Sequence, residues 1–296
     1  MTDITPEQIS SLGSQALLIT FAITTILGAI MQKTNFCTLG AVSDGILMED
    51  WSRMRQWCLA IGIAILGVAT LSHLGWIDVS KSIYTNNRVL YLSTLIGSVL
   101  FGVGMVLASG CGSKTLIRIG SGNLKSIVVF IVLGLVAYMT MRGFLGVIKA
   151  NSIDKVALNL STNQDLPSIL SSSFAVGKEQ LRIFLSILIG GVFIAFAVLK
   201  RSFWNTENLL AGVGVGIAIT AIWWTSGYFA HLDEDPNTLQ EAFLVTNSGR
   251  MESLSFVAPY AYSLDWLMFT SDKSKVLTIG IVAVLGMICG SAISAV

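Results

Sequence analysis

Long apolar runs separated by short polar breaks dominate the hydrophobic pattern of this 296-residue chain. A helix needs about 20 apolar residues to cross roughly 30 Å of hydrocarbon, and about seven runs approach that length. They are Leu17–Met31, Met54–Leu74, Val89–Ala108, Ser126–Val147, Leu181–Lys200, Leu209–Phe229 and Val276–Val296. The pattern predicts an all-α, polytopic membrane protein.

Two further segments are too short and too polar to span a bilayer, yet they contain apolar residues. Asn35–Ile46 follows the first run, and Cys111–Gly122 follows the third. Irregular backbone at membrane depth is tolerated only where protein or a water-filled cavity surrounds it. We therefore predict two short re-entrant segments that form two walls of one pathway. Met251–Met268, which contains the helix breaker Pro259, is a third such segment unless its aromatic residues form an interfacial belt.

A polar stretch rich in serine and asparagine divides the hydrophobic chain. We predict a first membrane half over residues 1–148, a connecting segment over 149–180 and a second membrane half over 181–296. Gly102–Gly104 and Gly212–Gly216 begin comparable runs in the two halves. Such matching glycines are typical of transporters built from pseudo-symmetric repeats, although Gly-x-Gly also simply allows close helix contact.

Composition supports the membrane assignment and excludes several other classes. Hydrophobic residues make up 53% of the chain and charged residues 12%, with a mean hydropathy of +0.75, whereas soluble domains carry roughly 25% charged residues. This hydrophobicity makes the lipid bilayer the expected partner. The net charge of +1 gives no basis for nucleic-acid binding. The polar N-terminus lacks a basic region and a cleavage site, so we expect a retained first helix and no signal peptide.

The four cysteines are widely spaced and include no C-x-x-C pair. This spacing predicts neither a zinc site nor a dithiol redox motif. Neither histidine, His73 or His231, neighbours a cysteine in sequence, and no nucleotide-binding fingerprint occurs. We therefore expect no metal, no cofactor and no enzymatic activity.

The strongest chemical signal is a Gly-Cys-Gly triplet centred on Cys111 and followed directly by Ser113 and Lys114. Free cysteine is usually a small buried hydrophobe, but here its neighbours are donors and cations. Lys114 and Arg118 are four residues apart, so they share a face near the N-terminus of a helix that starts at Cys111. Helix N-terminal N–H groups and a nearby cation attract an anion, unless these side chains reach to lipid headgroups instead.

Cys37 has a similar setting, because Asn35 precedes it and Thr38 follows it. Cys58 lies in a regular apolar run and is interpreted as a core residue, whereas Cys289 lies near glycines without charges and is a weaker pathway candidate. Together these patterns predict a small-anion site within the bilayer. Its candidate residues are Cys37, Cys111, Lys114, Asn35, Thr38, Ser113, Arg118 and Cys289.

Five motifs carry a resemblance to a known family. They are Asn35–Asp44, Gly102–Ser126, Ala137–Gly143, Leu209–Gly227 and Glu252–Pro259. Together they resemble the YeeE/YedE family of sulfur transporters, which includes bacterial thiosulfate uptake proteins.

The resemblance implies an hourglass-like helical protein of the bacterial inner membrane, whose short helices bring cysteines to a central constriction. It implies that thiosulfate passes between cysteines by hydrogen bonding without lasting covalent change, and that Cys37 and Cys111 occupy the matching positions. It also implies a soluble sulfur-carrier or sulfurtransferase partner.

One departure from the family pattern concerns the last apolar run. Family members usually continue past it into a further Gly-Cys motif with a third pathway cysteine, and this chain stops first; Cys289 does not fall at that motif. We expect either a missing C-terminal segment or another residue that closes the path.

The alternative functions are a membrane thiol enzyme or subunit that transfers sulfane sulfur to a soluble partner, and a non-transporting membrane subunit. No base lies near either thiol in sequence, which argues against the enzyme.

Overall fold

Nearly all regular structure is helical in the computed structural model, which describes residues 6–174, 177–236, 238–272 and 274–295. The helices are α1 (Pro6–Lys33), α2 (Thr38–Leu47), α3 (Ser52–His73), α4 (Tyr91–Leu107), α5 (Gly112–Gly120), α6 (Leu124–Arg142), α7 (Phe144–Asn151), α8 (Leu166–Phe174), α9 (Lys178–Val198), α10 (Thr206–Trp224), α11 (Val257–Met268) and α12 (Ile279–Ala295). The prediction of an all-α protein is confirmed.

The β structure of the described residues consists of two short antiparallel ribbons and an isolated bridge between Ser82 and Met251. Strand β1 (Arg88–Val89) pairs with β2 (Leu158–Asn159), with Arg88 opposite Asn159. Strand β3 (His231–Leu232) pairs with β4 (Ala242–Phe243), with His231 opposite Phe243. Both ribbons connect loops between helices, and Phe243 of β4 packs in a buried cluster with Leu71, Ile77 and Met251.

Six helical stretches in the described part of the chain are long and apolar enough to cross a membrane. They are Glu7–Leu47, Ser52–His73, Tyr91–Gly120, Leu124–Arg142, Lys178–Val198 and Thr206–Phe229. The seventh predicted run corresponds to α12, which has 17 residues, and its last residue, Val296, lies outside the described residues. The chain is therefore a multi-pass membrane protein.

The first and fourth predicted runs differ most from the observed helices. The first run was expected over Leu17–Met31, but α1 covers Pro6–Lys33 and has 28 residues. The helix extends into polar sequence at its start because polar residues can also make the backbone hydrogen bonds of a helix. The fourth run was expected to reach Val147, but α6 ends at Arg142 and the extended residue Gly143 separates it from α7. The first five residues of the predicted polar N-terminus lie outside the described residues.

The predicted connecting segment contains β2, α8 and the start of α9. Arg88 donates a hydrogen bond to the backbone oxygen of Asp154 at 2.6 Å, which ties this segment to the loop before α4. Residues 175–176 of the segment lie outside the described residues. The division of the chain into two membrane halves stays a prediction.

The largest buried cluster surrounds the second cysteine segment. It combines apolar side chains from α1, α3, α5, α10, α11 and α12. Leu116 and Ile117 of α5 are completely buried, although α5 has only nine residues. A short helix in this position is held by its neighbours, so its N-terminus is fixed in the interior.

Helices α1 and α12 pack closely through small residues. A side chain at Gly28 would meet the backbone of Met287, and one at Gly290 would meet the backbone of Thr25. Glycine lets the two backbones approach each other, which is how helices commonly associate in membranes. By contrast, α4 buries none of its residues, and its apolar surface suits contact with lipid.

Candidate functional site

A tight chain reversal at the end of α1 positions the first cysteine. Asn35 adopts a left-handed conformation with φ of +50°, which asparagine tolerates better than most residues. The N–H of Phe36 bonds to the backbone oxygen of Met31 at 3.2 Å. This is the hydrogen bond of a Schellman helix end, and it makes Cys37 the N-cap of α2.

The same reversal occurs at the end of α4. Ser109 has φ of +56°, and the N–H of Gly110 bonds to the backbone oxygen of Met105 at 2.8 Å. Cys111 thereby becomes the N-cap of α5. The left-handed residue stands two positions before the cysteine in both segments, so the predicted similarity of the two settings has a common backbone cause.

The two thiols meet in the interior. Cys37 and Cys111 are each 8% exposed and are free thiols, and their side chains interact directly. The Cys111 Sγ lies 3.2 Å from the Oγ of Ser113. The Oγ1 of Thr38 donates to the Cys111 Sγ at 3.9 Å. Four residues that the sequence singled out separately are therefore in one cluster.

Helix N-termini and cations make the surroundings of the thiols positive. The first turns of α2 and α5 carry N–H groups without intrahelical partners, and the helix dipoles place their positive ends there. The Lys114 Nζ donates to the Oδ1 of Asn35 at 3.3 Å, and Arg118 and Arg53 both lie close enough to Lys114 for charge repulsion. Arg53 is partly neutralised by Asp44 at 3.2 Å. Arg53 was not among the predicted site residues, because it is distant from Cys37 and Cys111 along the chain.

The other two cysteines lie apart from this cluster. Cys58 is buried on α3 against Phe203 and Leu59, as expected of a core residue. Cys289 is exposed on α12. The structure therefore does not bring Cys289 to the thiols.

A cavity of about 430 Å³, called here the thiol cavity, lies beside the cluster. Its polar lining includes Cys111, Ser113 and Thr38. Its apolar and aromatic lining includes Phe36, Trp57, Phe101, Leu254 and Phe256. A second cavity, of about 780 Å³, shares Phe101, Cys111, Gly112, Phe256 and Val257 with the first. Cys111 therefore lies where two cavities meet.

The aromatic walls were not among the predicted site residues. Phe36 stacks on Trp57 with ring centroids 4.7 Å apart. The Trp57 Nε1 is buried and has no hydrogen-bond partner among the described residues. Phe36 could have been suspected because it directly precedes Cys37, but Trp57 carries no such signal.

Tyr260 connects α11 to the N-terminus of α5. Its ring is completely buried, and its hydroxyl donates to the backbone oxygen of Gly112 at 2.5 Å. The other end of α11 is held at Asp265, which accepts from the Tyr138 hydroxyl at 3.1 Å and from the Lys275 ammonium at 2.5 Å. Helix α11 therefore fixes the residue that follows Cys111.

Replacing Tyr260 with phenylalanine should loosen the N-terminus of α5. The change removes one buried hydrogen bond, which contributes about 1 kcal/mol, so the thermal midpoint in detergent should fall while the ring packing remains. Thermal unfolding followed by tryptophan fluorescence measures this. Tyr91→Phe, at an exposed tyrosine, is the control, and equal midpoints for both variants would show that the Tyr260 bond does not stabilise α5.

A family model described as sulphur transport matches residues 33–296 of the chain. The chain belongs to the sulphur transport family. The resemblance to YeeE/YedE proteins is thereby confirmed. Both the thiol cluster and the second cavity lie within the matched residues.

Two proteins similar to this sulphur transport protein are named as thiosulfate transporters. The thiosulfate transporter TsuA of Escherichia coli is 26% identical over 281 residues, which cover 91% of this chain and 72% of that protein. The thiosulfate transporter TsuA of Spirochaeta thermophila is 29% identical over 119 residues, which cover 40% of this chain and 34% of that protein. Both relatives are named as transporters, so the family assignment supports membrane transport and not catalysis.

Proposed function

We propose that this protein transports thiosulfate, or a closely related sulfur-containing anion, across the membrane. The observation that carries the proposal is the pair of buried thiols, Cys37 and Cys111, at the N-termini of two short helices beside a cavity. The substrate named for the two TsuA relatives supports thiosulfate as the anion.

The proposed recognition uses different groups for the two ends of the anion. Helix N-termini, Lys114 and Arg118 attract the negative charge. The thiols of Cys37 and Cys111 hydrogen-bond to the anion in turn, while Asn35, Thr38 and Ser113 orient them. Thiol donors are weak, and an anion that is held weakly at successive sites can also leave them, as conduction requires. The proposal assigns no contact to Cys289.

Discrimination between thiosulfate and sulfate tests this proposal. The two dianions have similar shape, but sulfate lacks the terminal sulfur and is all oxygen at its surface. In proteoliposomes, we expect labelled thiosulfate to enter at least about ten times faster than labelled sulfate, because the polarizable sulfur suits thiols and aromatic walls. Protein-free liposomes set the background. Equal rates for both anions would remove the reason for thiols in the pathway and contradict the proposal.

We further propose that the segments of α2 and α5 are half-inserted and that the halves at residues 1–148 and 181–296 form an hourglass-like, pseudo-symmetric pathway. The identical chain reversals at Asn35 and Ser109 support two equivalent pathway walls. The meeting of two cavities at Cys111 supports a narrow point there.

We propose the bacterial inner membrane as the location, because both named relatives come from bacteria. A soluble sulfur-carrier or sulfurtransferase protein remains the proposed partner on the basis of the family resemblance. The alternative of a membrane thiol enzyme gains no support, since His73 pairs with Glu179 and His231 pairs with Glu241, so neither offers a base to the thiols.

A further inference from the structure

A small cavity of about 160 Å³, lined by both polar and apolar residues, adjoins the cavities beside the thiols. Glu252, Tyr84 and Tyr262 are among its lining residues. Leu254 lines both this cavity and the thiol cavity, and Ser255 lines both this cavity and the larger cavity next to Cys111. The carboxyl group of Glu252 is therefore only two residues along the chain from Leu254, which lines the proposed anion pathway.

The backbone around Glu252 is fixed by buried contacts. Met251 is completely buried, and its sulfur occupies the space that a side chain at Gly227 would take. The Ser226 hydroxyl donates to the backbone oxygen of Glu252 at 2.5 Å. The carboxyl group is thus held at this cavity by the tertiary structure.

Only neutral groups bond to this carboxyl group in the described part of the chain. The Ser248 hydroxyl donates to the Glu252 Oε2 at 2.9 Å, and the backbone N–H of Asn247 adds a second bond. Burial raises the pKa of the Glu252 carboxyl above its usual range, and these two bonds oppose the shift without cancelling it. Glu252 forms no ion pair with any of the described residues.

The other titratable groups around the cavity do not offset the carboxylate charge. Burial raises the pKa of two phenols, Tyr84 from the segment before α4 and Tyr262 from α11, and the charge of Glu252 raises each pKa further. Arg142, at the end of α6, acts on Tyr262. Arg250, two residues before Glu252, is exposed. The site is therefore one carboxyl group facing two neutral phenols.

A dianion in the adjoining pathway would repel a carboxylate at this position. A nearby negative charge favours protonation of the carboxyl group. Because linkage is reciprocal, a proton on Glu252 then also favours binding of the anion. Binding of the anion and of a proton should therefore be cooperative.

We propose that Glu252 takes up a proton together with the transported anion, so that anion transport is coupled to protons. This inference rests on the proposed function. The proton comes from water on the side from which the anion enters and returns to water when the anion leaves, so no other reactant is needed. Co-transport of a proton also lowers the negative charge that crosses the membrane potential with each anion.

The pH dependence of labelled thiosulfate flux into proteoliposomes tests the coupling. With wild-type protein, the initial rate should rise by about tenfold between about pH 8 and about pH 6, because protonation of a carboxyl group with a raised pKa increases as the pH falls. Glu252→Gln should give a rate that is constant over this range, and Glu252→Asp should restore the dependence. Glu241→Gln is the matched control and should behave as the wild type, since Glu241 pairs with Lys81 and His231 instead.

An unchanged pH dependence in Glu252→Gln would overturn the coupling and leave the proposed function intact. No thiosulfate flux in the wild type at any pH would overturn the proposed function itself. If Glu252→Gln is not monodisperse in gel filtration, proton uptake by the wild-type protein tests the coupling instead. This is measured as a pH change in weakly buffered detergent solution. Addition of sodium thiosulfate, compared with sodium chloride, should make the solution more alkaline as protons are taken up, and no pH change would overturn the inference.

Discussion

Replacing Cys111 with alanine should lower the initial rate of thiosulfate uptake by about a hundredfold. The reason is that the variant loses a hydrogen bond to a charged ligand in a buried site. Cys111 lines both cavities and contacts the side chains of Cys37, Thr38 and Ser113. Its loss would remove the sulfur contact at the point where the two cavities meet. Uptake of labelled thiosulfate into cells that lack other importers measures the effect.

The other cysteines provide controls for this experiment. Cys37→Ala should also lower uptake strongly, because its thiol is the direct neighbour of Cys111. Cys58→Ala and Cys289→Ala should leave uptake close to that of the wild type, since Cys58 packs in a core cluster and Cys289 is exposed. Wild-type rates in both Cys37→Ala and Cys111→Ala would contradict a role for the thiols in transport.

Replacing Gly290 with leucine should prevent stable packing of α1 against α12. The new side chain would occupy the position of the Thr25 backbone, which cannot move aside as a flexible side chain can. Overpacking of this kind costs about 3 kcal/mol or more. We expect a much lower yield of monodisperse protein and a lower thermal midpoint, measured by gel filtration and fluorescence-detected unfolding.

Gly191→Leu is the matched control, because Gly191 also lies inside a helix but has open space where a side chain would be added. It should be expressed and unfold like the wild type. Equal losses of stability for Gly191→Leu and Gly290→Leu would show that the cost arises from removing a helical glycine and not from contact between α1 and α12.

Much of the site could be predicted because its signals are local. Cys37 and Cys111 each follow the end of an apolar run within a few residues, and each is surrounded by small or polar residues. The reversal before Cys37 has such a signal in Asn35, which tolerates the left-handed conformation, whereas the reversal before Cys111 places Ser109 there and has no such signal. The common position of the two thiols as helix N-caps follows directly from these reversals.

Other parts of the site depend on contacts between residues far apart in the chain. Arg53 and Trp57 lie on α3, and only the packing of α3 against other helices brings them to the thiols. Tyr260 was predicted as part of an inserted segment or an interfacial belt, and the structure buries it completely with its hydroxyl on Gly112. Glu252 was noted only within a family motif, since nothing adjacent to it signals a cavity.

The sequence by itself determined that this is an all-α membrane protein with two unusual cysteine segments, because long apolar runs and their polar breaks require no knowledge of distant contacts. It also determined family membership through motifs spread over most of the chain. Only the tertiary structure decided that Cys37 and Cys111 meet, that Cys289 lies apart, and that Glu252 faces a cavity next to the thiols. The physical reason is that a helix sequence specifies which side chains share a face, whereas the packing of neighbouring helices decides what that face contacts.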